Sequence, residues 1–186
     1  MILGIIPARG GSKRLPGKNI RSLHGKPMIQ YTIEAAQNST MLNRTIVCTE
    51  DLAIKHVAEE CDAEVIMRPQ SMAQDHSSIY DTITYIQGEV PGYEWIVLLQ
   101  PTSPLRTSED IDDAINSCIS KTAPSWVYCE YGVPVPNGAL YVAYASWLKE
   151  HGNFDGPRTI TYGMPRHRSV DVDTLRDFER AEALIK

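Results

Sequence analysis

The run Trp95–Leu99 (WIVLL) is apolar at every position. A strand with one face in water alternates apolar and polar residues, so this run predicts a central strand that is covered on both faces. Further short apolar or β-branched runs occur at 2–6, 44–49 and 63–67, and a segment with helical apolar spacing follows each of them. This alternation predicts an α/β fold with three layers, α/β/α, around a mostly parallel sheet. Predicted helices lie at 28–36, 51–61, 77–89, from an N-cap at Ser108, and at 175–185.

Length and composition are typical of a globular domain. The 186 residues, of which 42% are hydrophobic and 22% charged, predict a single domain over 1–186. A net charge of -5 argues against nucleic-acid binding, and no apolar run approaches the roughly 18–20 residues that cross a membrane. The N-terminus lacks the basic region of a signal peptide, and the four cysteines have no close paired spacing. These features predict a cytoplasmic protein with reduced thiols.

Positive charge is concentrated directly after the first apolar run. Residues 1–33 hold six lysines and arginines and no carboxylate, since the first acidic residue is Glu34. The cations share this loop with glycines at 10, 11 and 17, which allow a ligand to approach the backbone closely. Such a loop suits a polyphosphate, and the alternative is a solvated basic loop. The sequence contains neither the P-loop motif nor the dinucleotide-binding glycine motif.

Two aspartates near the end of the sequence form a candidate metal site. In the motif SVDVDT, two valines alternate with Asp171 and Asp173, so a short strand there places both carboxylates on one face. Mg²⁺ commonly takes one or two protein carboxylates and completes its coordination with phosphate and water oxygens. The alternative puts Asp173 at the start of the last helix, where Thr174 and Asp177 form a capping box.

Arg68, Ser77 and Ser78 are candidates for contact with a nucleotide base. Arg68 follows the third predicted strand and has a planar set of donors, although a surface charge is the alternative. Ser77 and Ser78 precede a predicted helix, so they either contact the edge of the base or cap that helix.

Two further motifs carry candidates for sugar recognition. QPTSPLR mounts Gln100 and Thr102 on a proline-stiffened loop after the central strand, and Arg106 at its end is expected to pair with the acidic start of the next helix. NGALYV offers Asn137 and Tyr141 as donors beside a permissive glycine, or it is a turn before a strand.

Four motifs in this order, IIPARGGSKRLPGKN, LLQPTSPLR, NGALYV and SVDVDT, span nearly the whole chain. Together they resemble the cytidylyltransferases that activate nine-carbon acidic sugars, the CMP-N-acetylneuraminate synthetase family with its pseudaminate and legionaminate relatives. The resemblance implies a Rossmann-like nucleotide-diphosphosugar transferase fold. It also implies transfer of CMP from CTP to the anomeric hydroxyl of a 2-keto sugar acid, with release of pyrophosphate.

The resemblance also implies a role for each matching residue. CTP would be held by Arg9, Ser12, Lys13, Lys18, Asn19, Arg68, Ser77 and Ser78, with the arginine and the second serine on cytosine. The sugar would contact Gln100, Thr102, Asn137 and Tyr141. Mg²⁺ would be held by Asp171 and Asp173, which complete a catalytic set with Arg9, Lys13 and Lys18.

One segment departs from the family pattern. Relatives carry a long extension before the NGA motif that builds a dimer and contributes basic residues to the sugar carboxylate, whereas here only residues 131–136 separate the preceding predicted strand, 126–130, from that motif. The nucleotide half of the site is therefore expected to be complete and the sugar half reduced, and a homodimer stays open. Two alternatives follow, a transferase of the same fold for another sugar or sugar phosphate, and a CTP-binding module without catalysis.

Overall fold

The protein is described by a computed structural model at residues 1–74, 76–121, 136–156 and 159–185, and for strand 125–129 by its backbone. The strands are β1 Ile2–Pro7, β2 Ser22–Leu23, β3 Lys26–Pro27, β4 Arg44–Thr49, β5 Glu64–Met67, β6 Trp95–Leu99, β7 Ser125–Cys129, β8 Pro136–Tyr144 and β9 Ile160–Met164. The helices are α1 Met28–Gln37, α2 Leu52–Glu60, α3 Ile79–Glu89, α4 Ser108–Lys121, α5 Ala145–His151 and α6 Leu175–Leu184.

Seven strands form one sheet in the order β5-β4-β1-β6-β8-β7-β9. Strands β5, β4, β1 and β6 run parallel, and β8 runs antiparallel to both of its neighbours. The predicted mostly parallel sheet is confirmed. Because β8 is reversed, its first residues lie at the same edge of the sheet as the carboxyl end of β6, and Leu140 pairs with Leu99 there.

Helices cover both faces of the sheet, as predicted. Alternate residues of β1 enter two separate cores, so that Ile6 packs with α1, α2 and α4, whereas Ile5 packs with α3 and α5. Strand β6 is buried along its whole length, in keeping with its position inside the sheet. No helix within the described ranges is long and apolar enough to span a membrane.

A third, smaller core joins the basic loop to the end of the described chain. Leu15 and Leu23 pack with Val170, Val172 and Phe178 of the aspartate segment and α6. The segment around Asp171 is not a β-strand, so the predicted short strand there is wrong. The valines are nevertheless buried, as the alternation predicted, and the predicted capping box is present at the start of α6.

The start of α4 differs from the prediction in two ways. Its N-terminal cap is Thr107 instead of Ser108, because Thr107 and Asp110 exchange side-chain and backbone hydrogen bonds. Arg106 does not pair with the acidic first turn. Its buried guanidinium donates to the carbonyl oxygens of Gln100, at 3.3 Å, and of Ala139, and burial lowers its pKa to about 10. The carboxylate of Asp110 instead accepts two hydrogen bonds from Arg168, at 2.7 and 2.9 Å.

We expect Asp110→Ala to lower the free energy of unfolding by about 3 kcal/mol, because it leaves Arg168 without its carboxylate and removes one half of the cap. The Asp110 side chain is fully buried. Urea denaturation followed by circular dichroism measures the change. Asp113→Ala on the same helix is the matched control. Its exposed carboxylate accepts only a hydrogen bond from Tyr162, at 3.2 Å, so a loss as large as that of Asp110→Ala would contradict the assignment.

Candidate active site

A pocket of about 590 Å³ opens at the carboxyl ends of the parallel strands, where α/β sheets bind their ligands. Its volume lies within the range typical of sites for small molecules. Most of the predicted site residues line it: Arg9, Ser12, Lys13, Lys18, Asn19, Arg68, Ser77, Ser78, Gln100, Thr102 and Asp173. The structure therefore brings together segments that are as far apart in sequence as Arg9 and Asp173.

The basic loop after β1 forms one wall of the pocket and is tied down at its base. Asn19 is buried and its amide donates to the carbonyl oxygen of Arg9 at 2.9 Å, which closes the loop on itself. The backbone N–H of Gly10 donates to the Glu50 carboxylate at 2.7 Å. A β-carbon on Gly10 would lie 2.1 Å from Asp51 Oδ2, so the loop needs glycine for this close approach. The loop is held by contacts on several sides, as a preorganised anion site requires.

Lys18 connects the basic loop with the aspartate segment. The lysine is 8% exposed, and its ammonium donates to the carbonyl oxygen of Val172 at 2.7 Å and to Asp173 Oδ1 at 3.0 Å. Arg14 contacts the other oxygen of Asp173 at 2.9 Å, from a far more exposed position. The predicted phosphate-binding and metal-binding residues thus meet at Asp173.

Asp171 lies beside Asp173 and the loop that follows β6. The Thr102 carbonyl accepts from the backbone N–H of Val172 at 2.7 Å, and the Thr102 hydroxyl donates to Gln100 Oε1 at 3.5 Å. Desolvation, together with the charge of Asp173, raises the pKa of Asp171 above its ordinary value. A carboxylate with a raised pKa and a second carboxylate nearby is a site that a cation would stabilise.

The donor set suits Mg²⁺. No group of three or more histidine, cysteine or acidic ligands occurs in the described part of the chain, so the aspartate pair offers no closed site of the kind that structural zinc prefers. One carboxylate in the pocket lining, Asp173, and a second beside it, Asp171, match the demand of Mg²⁺, which takes its remaining ligands from phosphate and water. The metal itself stays a prediction.

At the opposite end of the pocket, Arg68 is buried with a carboxylate partner. Its Nε and Nη2 donate to Glu50 Oε2 at 3.0 and 2.9 Å, and its Nη1 donates to the Thr82 hydroxyl at 2.9 Å. Ser78 is the N-cap of α3 and accepts from the N–H of Tyr80, while Ser77 closes the preceding turn. Both serines line the pocket, and both also have the local structural role that the sequence left open.

Gln100 and Asp171 lie around Gly138. Burial, and after it the charge of Asp171, raises the pKa of Tyr141. The side chain of Asn137, in contrast, accepts from the N–H of Ala139 at 3.0 Å and points its amide at the sulfur of Met164. Its predicted sugar contact would need this turn to open. Neither Asn137, Tyr141 nor Asp171 belongs to the pocket lining.

We expect Gly138→Ala to raise the Michaelis constant for the predicted sugar substrate about tenfold and to cost roughly 1 kcal/mol of stability. Gly138 has φ +79°, and a β-carbon there would lie 3.0 Å from Gln100 Oε1, so alanine adds backbone strain and displaces the amide. Steady-state kinetics and thermal unfolding measure the two effects. Gly152→Ala is the control, because Gly152 has φ +66° with no atom within 4 Å. Equal Michaelis constants for both variants would contradict a role for Gln100 in sugar binding.

The sequence analysis missed Glu50 and Thr82, the partners of Arg68, of which Thr82 also lines the pocket. The signal for Glu50 in the sequence was weak. It is an acidic residue directly after strand β4, which pairs with the strand that leads into the basic loop. Thr82 gave no signal, because a threonine inside an amphipathic helix is common. The roles of the predicted site residues themselves stay predictions.

The site combines a basic loop, a buried arginine and an aspartate pair at the end of a parallel sheet, and comparison with known sequences gives the class of protein. The family model described as "Cytidylyltransferase" matches residues 3–134. The chain belongs to the cytidylyltransferase family, a family of nucleotidyltransferases, and the resemblance inferred from the four motifs is confirmed.

Two individual relatives show which members of the family this chain resembles. The chain is 33% identical over 224 aligned positions to the CMP-N,N'-diacetyllegionaminic acid synthase of Legionella pneumophila, with 100% of this chain and 96% of that protein covered. It is 32% identical to the N-acylneuraminate cytidylyltransferase of Escherichia coli O18:K1:H7 over 97% of this chain, but it spans only 51% of that longer protein. The Legionella alignment is longer than this chain, so that relative has segments that are missing here.

Solved structures support the fold. A structure described as CMP:2-keto-3-deoxy-manno-octonic acid synthetase complexed with CTP superposes with a TM-score of 0.76 at 19% identity, covering 98% of this chain and 97% of that one. A nucleotidyl transferase from Methanothermobacter thermautotrophicus gives a TM-score of 0.75 at 16% identity, covering 98% and 96% of the two chains. At these identities the comparison shows a shared fold, and the predicted Rossmann-like transferase architecture is confirmed.

Proposed function

We propose that this protein transfers CMP from CTP to the anomeric hydroxyl of a nine-carbon 2-keto sugar acid of the sialic, legionaminic or pseudaminic type. The observation that carries the proposal is the meeting of Lys18 with Asp173, which joins a polyphosphate loop and a carboxylate pair in one pocket. The names of the sequence relatives supply the acceptor class.

In the proposed reaction the anomeric oxygen forms a bond to the α-phosphorus of CTP while the bond from that phosphorus to the bridging β-phosphate oxygen breaks. Pyrophosphate leaves, and the hydroxyl proton passes to solvent. Arg9, Lys13 and Lys18 bind the triphosphate and balance the charge that develops on the departing pyrophosphate. The protein contributes positioning and electrostatic stabilisation and forms no covalent intermediate.

The acceptor would lie beyond the α-phosphate, against Gln100, Thr102 and Tyr141. Asp171 and Asp173 would hold Mg²⁺ between these residues and the basic loop. When bound, the ion neutralises phosphate charge and lowers the pKa of the attacking hydroxyl. Arg68, Ser77 and Ser78 would contact the cytosine at the other end of the pocket.

The test is a pyrophosphate-release assay with CTP and Mg²⁺ against a panel of sialic, legionaminic and pseudaminic acids and the eight-carbon 3-deoxy-manno-octulosonate. Release with a nine-carbon acid is the expected result. Release only with the eight-carbon acid would move the protein to another acceptor class. CTP binding without release for any acid would leave a nucleotide-binding module and overturn the proposal.

The sugar half of the site is the part most open to a contribution from a second chain. Residues 131–135 of the shortened link lie outside the described residues. A homodimer and a cytoplasmic location both stay part of the proposal. Sedimentation with and without CTP tests the dimer, and a dimer that forms only with both substrates would indicate a shared pocket.

A further inference from the structure

Glu50 and Arg68 follow two neighbouring parallel strands, β4 and β5, and meet at the inner end of the pocket. Their side chains are 4% and 5% exposed. One carboxylate oxygen of Glu50 accepts from Nε and Nη2 of Arg68, and the other accepts from the backbone N–H of Gly10. The backbone N–H of Arg68 donates to the Thr49 carbonyl at 2.9 Å, so the arginine is fixed at both ends.

We propose that Glu50 is a positioning residue that makes the pocket select cytosine. It would do so by holding the guanidinium of Arg68 in one orientation and by cancelling its charge. The inference rests on the proposed function, because it concerns how the same pocket chooses CTP.

The charge argument starts from burial. A buried guanidinium without a partner would attract phosphate, and a triphosphate could then bind in the reversed direction. The carboxylate of Glu50 gives the pair a net charge of zero at this end of the pocket. The other end of the pocket carries the basic residues of the loop. Two of them, Lys18 and Arg14, contact the carboxylate of Asp173. Phosphate therefore prefers the loop end, and the uncharged base is directed to Arg68.

The donor argument follows from the geometry of arginine. A guanidinium has five N–H groups, and the contacts to Glu50 and Thr82 use one on Nε and one on each terminal nitrogen. Among the described residues these contacts leave one N–H on each terminal nitrogen, on a side chain that lines the pocket. Cytosine presents two adjacent acceptors, its O2 and N3, whereas uracil carries a proton on N3. A fixed pair of donors therefore discriminates against uracil.

The same carboxylate also sets the position of the phosphate loop. Gly10 N–H is 2.7 Å from Glu50 Oε1, and the loop packs so tightly here that Gly10 has no space for a side chain. Base recognition and phosphate binding thus share one anchor. Loss of the Glu50 charge should disturb the orientation of Arg68 first, because that side chain donates two hydrogen bonds to Glu50 whereas Gly10 donates one.

The experiment measures calorimetric affinities for CTP and UTP in the presence of Mg²⁺ for the native chain and Glu50→Gln. We expect CTP binding to weaken about tenfold while UTP binding changes little, so the CTP/UTP ratio falls about tenfold. In kinetics the Michaelis constant for CTP rises more than kcat falls. Glu64→Gln is the matched control, since Glu64 binds Arg44 through two hydrogen bonds across the same two strands, at an exposed position away from the pocket.

Two further variants separate positioning from stability. Glu50→Asp keeps the charge and should retain most of the CTP/UTP ratio. The double variant Glu50→Gln, Arg68→Met removes both buried charges, so it retains the fold even where Glu50→Gln alone does not, and its ratio should match that of Arg68→Met. A native-like CTP/UTP ratio in Glu50→Gln or in the double variant would overturn this inference but not the proposed function. A native chain that binds CTP no better than UTP would overturn the proposed function with it.

Discussion

Asp171→Asn is expected to reduce pyrophosphate release by about 10³-fold, the loss typical of removing a group that stabilises transition-state charge. The substitution keeps the shape of the side chain and one acceptor oxygen, but it removes the charge that would hold Mg²⁺. Initial rates over a range of Mg²⁺ concentrations measure the effect. Affinity for CTP in the absence of metal should change little, because the basic loop and Arg68 are untouched.

The same substitution should stabilise the protein when no metal is present. Desolvation and the neighbouring Asp173 raise the pKa of Asp171, so the native state holds this proton more tightly than the unfolded state does. Stability from this group is therefore present at low pH and is lost as the pH rises through the raised pKa. At pH 7 the ionised carboxylate is a cost that asparagine removes. Thermal unfolding should show Asp171→Asn above the native chain at pH 7 without Mg²⁺, with the gap closing at acidic pH.

Asp173→Asn provides the contrast for this prediction. Asp173 has two cationic partners, Arg14 at 2.9 Å and Lys18 at 3.0 Å, so its loss leaves the buried ammonium of Lys18 without a carboxylate. We expect Asp173→Asn to lower stability at pH 7 without metal, in the opposite direction to Asp171→Asn. Mg²⁺ should raise the melting temperature of the native chain and of neither variant. If Asp171→Asn kept native activity, the metal assignment would be wrong.

Much of the fold could be predicted because its signals are local. Strands β4 and β6 have the predicted bounds, since short β-branched or wholly apolar runs have few alternatives. The helix start at α4 was misplaced by one residue, because Thr107 and Ser108 are both good caps and only Asp110 decides between them. The antiparallel direction of β8 has no local signal at all, since it depends on which neighbours the strand finds in the sheet.

The residues of the candidate site also divide into those with local sequence signals and those that depend on distant segments. Charge concentration and alternation identified the basic loop and the aspartate pair, because both lie within a few residues of sequence. Arg106 was assigned to the wrong partner, because the buried carboxylate of that acidic first turn, Asp110, binds Arg168 from 58 residues away. Glu50 was missed for the same reason, as its importance comes from Arg68 and Gly10 on two other segments.

Lys18→Met is the second substitution with a large expected effect. The ammonium of Lys18 is buried and is shared between the Val172 carbonyl and Asp173. Methionine keeps the volume but removes a charge beside the proposed leaving group, so we expect kcat to fall about 10²-fold. It also leaves the Val172 carbonyl without this donor, which should cost about 1–3 kcal/mol of stability. Single-turnover pyrophosphate release and urea denaturation measure the two effects separately.

Arg14→Met is the control for this prediction, because it removes the exposed cationic partner of Asp173 instead of the buried one. Arg14 binds the same carboxylate, but its side chain is 69% exposed against 10% for Lys18, so solvent screens the arginine pair far more strongly. We expect Arg14→Met to change stability by less than about 1 kcal/mol and kcat by a few-fold at most. Equal losses in the two variants would mean that neutralisation of Asp173 is what matters. A loss confined to Lys18→Met indicates that the buried ammonium itself acts on the phosphates, because both side chains line the pocket and contact Asp173, and burial is what distinguishes Lys18 from Arg14.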